Sequence, residues 1–202
     1  MINPPSPFLP GFTPGGVRRR TWSGLIARWW WRVLLFAGLG VAAAQAEISK
    51  EYQVKAAFLY NFTKFVQWPP ERFADEQSPL VIGVFGPNPF GGELERVVEG
   101  RLANGRTLVV RPVATVAQIR EAHVVFVPEG EEARFAQMAA GSPPPGVLTV
   151  GESEAFTVRG GVIVFTLEVG KIRFVINLDP AERAGLKLSA QLLRLATEVH
   201  RK

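Results

Sequence analysis

Cysteine is absent from all 202 residues. Thiol nucleophiles, zinc–cysteine sites, thiol redox sensing and disulfides are therefore excluded, and the core must hold by packing alone. Histidine is nearly absent, with only His123 and His200. His123 opens an apolar run, where a structural role outweighs a catalytic one. His200 lies close to the C-terminal end, where fraying is expected. With no cysteine and no placed histidine, the usual nucleophile–base pairs are missing. No metal-ligand spacing, P-loop or dinucleotide fingerprint is present. No internal repeat or block of like charge occurs either.

The net charge of +5 at first suggests a basic protein. Its distribution says otherwise. Five arginines, Arg18, Arg19, Arg20, Arg28 and Arg32, lie within residues 1–46, which hold no acid. Without those five, the 23 basic residues fall to 18, against 18 acids. The remainder is neutral, so no basic face for nucleic acid is expected. Residues 33–44 form an apolar run that closes on Ala44-Gln45-Ala46, a small-x-small signal-peptidase pattern. That run is short of the ~20 apolar residues of a membrane span. Residues 1–46 therefore read as a leader with an export signal cleaved after Ala46, leaving 47–202 as one domain. The alternative is an uncleaved anchor starting near Leu25, against which Arg28 and Arg32 stand.

Along 47–202 the sequence predicts a helix from Ser49, its N-cap, to Trp68, stopped by Pro69-Pro70. Val54, Phe58, Phe62 and Phe65 fall on one face of it, with Asn61 among them. An enclosed amide needs a partner, and a backbone group is the expected one. The apolar runs at 79–86, 107–113, 123–128 and 146–151 read as strands. Short helices are expected at 93–99, 114–122 and 131–140, and a short helix with a Gly-Gly turn over 152–161. Residues 162–178 read as a hairpin turning at Val169-Gly170. The segment 180–199 reads as one amphipathic helix with Leu186, Leu193 and Ala196 on a face. The expected fold is a three-layer α/β domain, with about four mostly parallel strands, a C-terminal antiparallel hairpin and long first and last helices.

One turn stands out as a candidate binding site: Gly86, Asn88, Pro89, Phe90, Gly91 and Gly92, between the first strand and a helix, where free amides can hold an anion. The competing reading is a tight turn permitted by glycine and packed by Pro89 and Phe90. Arg159, before Gly160-Gly161, is the second candidate contact and reads first as part of a turn into the hairpin. Glu152 and Glu154 read as a solvated loop. Glu131 and Glu132 read as acids favoured at a helix N-terminus. Asn61, Asn177 and Gln191 are structural polar positions, Asn177 as a helix-opening cap.

Five stretches occur in an order that resembles the YfiR-like family, also catalogued as a domain of unknown function. They are YQVKAAFLYNFTKFVQWP, IGVFGPNPFGGELE, HVVFVPEGEE, GVLTVGESEAFTVRGGVI and IRFVINLDPAERAGLKLSAQLLRLA. The resemblance covers residues 50–199, and the first and last stretches are its most specific parts. It implies a periplasmic, non-enzymatic regulator with no cofactor and no metal. Its implied partner is the periplasmic part of a membrane-anchored signalling protein, in the best-known relatives a diguanylate cyclase that it represses. An outer-membrane partner that relieves this and a homodimer are further implied or plausible associations. The cysteine-bearing relatives' disulfides cannot carry over. The alternative is a small-ligand receptor module serving another sensor such as a histidine kinase, its pocket built from the 86–92 turn and Arg159. An enzyme working through Glu152 or Asp179 is the third reading.

Overall fold

The run Leu80–Phe85 is apolar at every position, and all six residues are buried. An alternating pattern would leave one face wet, so this strand must be covered on both sides. The computed structural model, which describes residues 50–140 and 143–201, shows how. The leader, its cleavage point and Ser49 lie outside the described residues, as do Gly141 and Ser142.

The strands are β1 (Val66–Gln67), β2 (Leu80–Phe85), β3 (Leu102–Ala103), β4 (Arg106–Val113), β5 (Val124–Phe126), β6 (Leu148–Gly151), β7 (Ile163–Glu168), β8 (Lys171–Asn177), β9 (Lys187–Leu188) and β10 (Glu198–His200). The helices are α1 (50–65), α2 (Glu93–Val98), α3 (Val116–Glu121), α4 (Glu132–Met138), α5 (Glu154–Val158), α6 (Leu178–Arg183) and α7 (Ala190–Leu195). Eight strands form one sheet in the order β10-β8-β7-β6-β5-β2-β4-β3. The five from β4 to β7 run parallel, β8 is antiparallel to β7, and β3 is antiparallel to β4.

Strand alternation sorts the core into two layers. Leu80, Ile82, Val84, Val124 and Phe126 pack with Ala56, Leu59 and Phe62 of α1, Leu94 of α2, Ala181 of α6 and Leu192 of α7. Val81, Phe85, Val125 and Val127 pack with Ile119 of α3, Phe135 of α4 and Phe156 of α5. The change of side follows from connection handedness. The chain moves one way from β2 to β4 and the other way through β5 to β7, so right-handed crossovers put α2 on one face and α3, α4 and α5 on the opposite one. The three-layer α/β reading therefore holds.

Several boundaries differ from the sequence reading. α1 ends at residue 65, because Val66 and Gln67 pair antiparallel with Leu188 and Lys187. The segment 180–199 is not one helix. α6 stops before Gly185, whose φ is +72°, and β9, α7 and β10 follow. His200 is not frayed either, since β10 pairs parallel with β8 and sets His200 beside Asn177. The hairpin does turn at Val169-Gly170. Its outer part is a free ribbon: β6 pairs β7 only at Ile163 and Val164, and β10 pairs β8 only at Val175 to Asn177.

Candidate functional site

In an open α/β sheet the natural crevice lies at the carboxyl ends of the strands, where adjacent connections leave for opposite faces. Here that point lies between β2 and β5. The loop after β2 is the 86–92 turn, and the loop after β5 is 127–131. Gly86 has φ +72°, and a Cβ there would stand 2.8 Å from Cγ of Glu131, so this loop pair requires glycine. The Asn88 side chain accepts from the Phe90 amide at 2.9 Å and closes the turn. Phe90 is buried edge-on to Tyr52 at 5.3 Å and to Phe126 at 4.8 Å. Gly92 is the residue before α2, and Pro89 is half-buried while Asn88 and Gly91 are exposed.

A buried ionic cluster borders this crevice, and the sequence reading missed it. Lys55 on α1 is 5% exposed. Its ammonium donates to Glu152, just after β6, at 2.5 Å, and also to Glu51 one helical turn back. The Glu152 side chain is itself only 8% exposed. Its other oxygen accepts the Glu129 amide at 3.1 Å and the Tyr52 hydroxyl at 3.4 Å. Burial, and then the Glu152 carboxylate, push the Tyr52 phenol above its ordinary pKa. Glu132 is 1% exposed. It accepts the amides of Glu152 and Ser153 at 2.8 and 2.9 Å, and the Ser153 hydroxyl.

These contacts correct two readings. Glu152 is not solvated but clamps α1 to the loops after β5 and β6. Glu132 does not serve mainly the N-terminus of its own helix; it caps the turn into α5. Glu131 is half-buried and paired to Arg134 at 2.7 Å. The available signal for Lys55 was spacing: residues 55, 59 and 62 lie at i, i+4 and i+7, so a lysine shares the face of Leu59 and Phe62. Each carboxylate and the ammonium already has partners, so the cluster is a structural clamp rather than an open acid–base pair.

The other candidate residues lie apart. Arg159 is exposed at the end of α5 and shows no side-chain contact to the 86–92 turn among the described residues. Asn177 precedes α6 as its N-cap but makes no side-chain cap bond. Gln191 is exposed on α7. Asn61 is half-buried rather than enclosed, its side chain makes no hydrogen bond among the described residues, and it lines a shallow groove with Gln53, Val54, Ala57 and Phe58. The buried face of α1 is rotated from expectation: Val54 is 44% exposed, and Thr63 is fully enclosed, donating to the Tyr60 carbonyl at 2.6 Å.

His123 has the structural role expected. It is buried, stacks on Phe73 at 4.5 Å, and accepts the Val81 amide on Nδ1 at 3.1 Å. Burial, with Arg72 nearby, lowers its pKa to about 4. The imidazole is therefore neutral at pH 7.

Among the described residues, two exposed apolar surfaces lie near one another. One is the Val54–Phe58–Asn61 side of α1. The other is the β7–β8 ribbon, where Leu167 is 66% exposed and Val169 fully exposed. Phe58 packs on Phe165 and Phe174, and Leu167 and Ile172 form the next cross-strand pair on that face, so the two surfaces adjoin.

Among known proteins, a family model described as YfiR/HmsC-like matches residues 52–197. Similar solved structures include the ABC domain in complex with L-Trp from Streptococcus pneumoniae. It is 14% identical with a TM-score of 0.40, over 60% of this chain and 55% of that one. A conserved domain protein from Vibrio cholerae is 15% identical with a TM-score of 0.39, over 59% and 54%. The match thus spans about half the length of each of these structures. Among the described residues no helix is long and apolar enough to cross a membrane, and no cluster of three or more His, Asp or Glu could hold a metal.

Proposed function

The chain belongs to the YfiR/HmsC-like family, whose model spans residues 52–197, and on that premise we propose that it is a non-enzymatic periplasmic regulator. It binds the periplasmic part of a membrane-anchored signalling protein and represses a diguanylate cyclase. Family membership carries this reading. The geometry supports it in two ways. The titratable groups Lys55, Glu152 and Glu132 at the carboxyl edge are tied to one another or to backbone amides, as a structural clamp is. The outer side of α1 and the adjoining ribbon offer an uncovered apolar surface of the kind a protein partner buries. Repression then follows if this surface binds one signalling state of the partner more tightly than the other. A pocket at 86–92 is less favoured, because Tyr52, Phe90 and Glu131 already converge there.

Crosslinking the exported chain in intact cells, followed by identification of what it captures, tests the proposal. The expected catch is an inner-membrane protein with a periplasmic sensor and a cytoplasmic cyclase. Capture of soluble proteins alone would count against it.

A further inference from the structure

A second cavity opens at the opposite, amino-terminal end of the parallel strands. It measures about 830 Å3, and Arg72, Arg120 and Arg183 line it together with Val116, Met138 and Pro144. No Asp or Glu is among its described lining residues. None of the three arginines forms an ion pair among the described residues.

Arg72 is the most constrained of the three. It lies in the 3-10 turn Pro70–Arg72, and one Nη donates to the Ala122 carbonyl at 2.8 Å. Its stem crosses Gly146, where φ is +68° and a Cβ would collide with the arginine side chain. Its Nε is buried and has no hydrogen-bond partner among the described residues. A guanidinium carries five N–H donors, and among the described residues only one of these is used. Buried polar groups are normally satisfied and buried charges normally paired, so this is an anomaly in search of an acceptor. Burial alone lowers the Arg72 pKa, in keeping with a cation that has no anion beside it.

Arg120 and Arg183 lie in the last turns of α3 and α6, where cations favour the helix dipole. That accounts for their position but leaves their forked donors unused. Three unpaired guanidinium groups around one cavity suit a multiply charged oxyanion, which arginine forks grip bidentately. The walls contributed by Val116, Met138 and Pro144 suit an apolar body, and the volume lies within the range of small-molecule sites.

We propose that this cavity binds the phosphate group of a small amphipathic phosphoester, held by Arg72, Arg120 and Arg183. The shared chemistry is a phosphate carried on an apolar body, whether in a free ester or in a lipid headgroup. The site stands independently of the regulatory reading.

Calorimetric titration of the purified chain with phenyl phosphate is the test, with phenol as the uncharged control. Saturable binding of phenyl phosphate and none of phenol is expected. Arg120→Gln and Arg183→Gln change exposed residues, so their melting temperatures should match wild type while affinity falls roughly tenfold or more. Arg72→Lys keeps the charge but loses the fork and should weaken binding too. Sedimentation with phosphatidylglycerol vesicles separates the sources. Binding to them that phenyl phosphate displaces supports a lipid headgroup, and binding of phenyl phosphate without vesicle binding supports a free ester. Absence of both, or binding indifferent to Arg120→Gln and Arg183→Gln, overturns the proposal.

Discussion

Removing one side of the Lys55–Glu152 pair should expose how much of this fold depends on it. Glu152→Gln keeps the shape of the side chain and an acceptor for the Glu129 amide, but removes the charge facing Lys55. As an ion-pair partner among the described residues the ammonium then keeps Glu51 alone, whose side chain is 37% exposed and so a weaker, screened partner. Breaking a buried pair costs about 3–5 kcal/mol. The remaining Glu51 puts Glu152→Gln near the lower end, about 3 kcal/mol. Lys55→Met strands the Glu152 carboxylate, although two donors still reach it, and a similar loss is expected. The double variant leaves no uncompensated charge and should cost no more than either single one, a coupling of about 2–3 kcal/mol. Urea unfolding followed by far-UV circular dichroism measures all four corners of the cycle. In thermal melts each single variant should fall by roughly 6–12 °C for a domain of this size. Single losses under about 1 kcal/mol that simply add would refute the clamp.

Three further outcomes are expected. His123 has its pKa depressed from 6.5 to about 4, so the unfolded chain takes up its proton first as pH falls. Its contribution is therefore intact above pH 6.5 and is lost towards pH 4, at most about 3 kcal/mol. His123→Asn keeps an acceptor for the Val81 amide, and its stability curve should lack that part of the slope. Gly86→Ala should cost about 1–3 kcal/mol, from positive φ and the contact with Glu131, measured by urea midpoint. Leu167→Glu and Val169→Asp change exposed residues of the ribbon, so stability should stay within about 0.5 kcal/mol while crosslinked capture of the membrane partner is lost.

The sequence pattern made the central sheet legible. Leu80–Phe85 is a continuous apolar run, and Leu148–Gly151 is a run interrupted only by Thr149; both are bounded by turn residues, so they can be read without distant information. The C-terminal segment was misleading because Leu186, Leu193 and Ala196 repeat at helical spacing. What breaks it is Gly185 and the pairing of Lys187-Leu188 with Val66-Gln67, more than a hundred residues away. The same pairing ends α1 early. The 86–92 turn was legible from its glycines. The burial of Lys55 and Glu152 was not, because a charged residue reveals nothing locally about a partner 97 positions along the chain. The arginine-lined cavity was hidden for a related reason: Arg72, Arg120 and Arg183 come from three separate elements that only the folded sheet gathers at one end.

Cyclic di-GMP in the native host tests the central claim most directly. Its level would be compared among wild type, a deletion strain, and that strain carrying either the full chain or one lacking residues 1–46. A regulator acting from the periplasm predicts a rise on deletion, reversed by the full chain and not by the leaderless one. An unchanged level on deletion, or rescue by the leaderless chain, would contradict it.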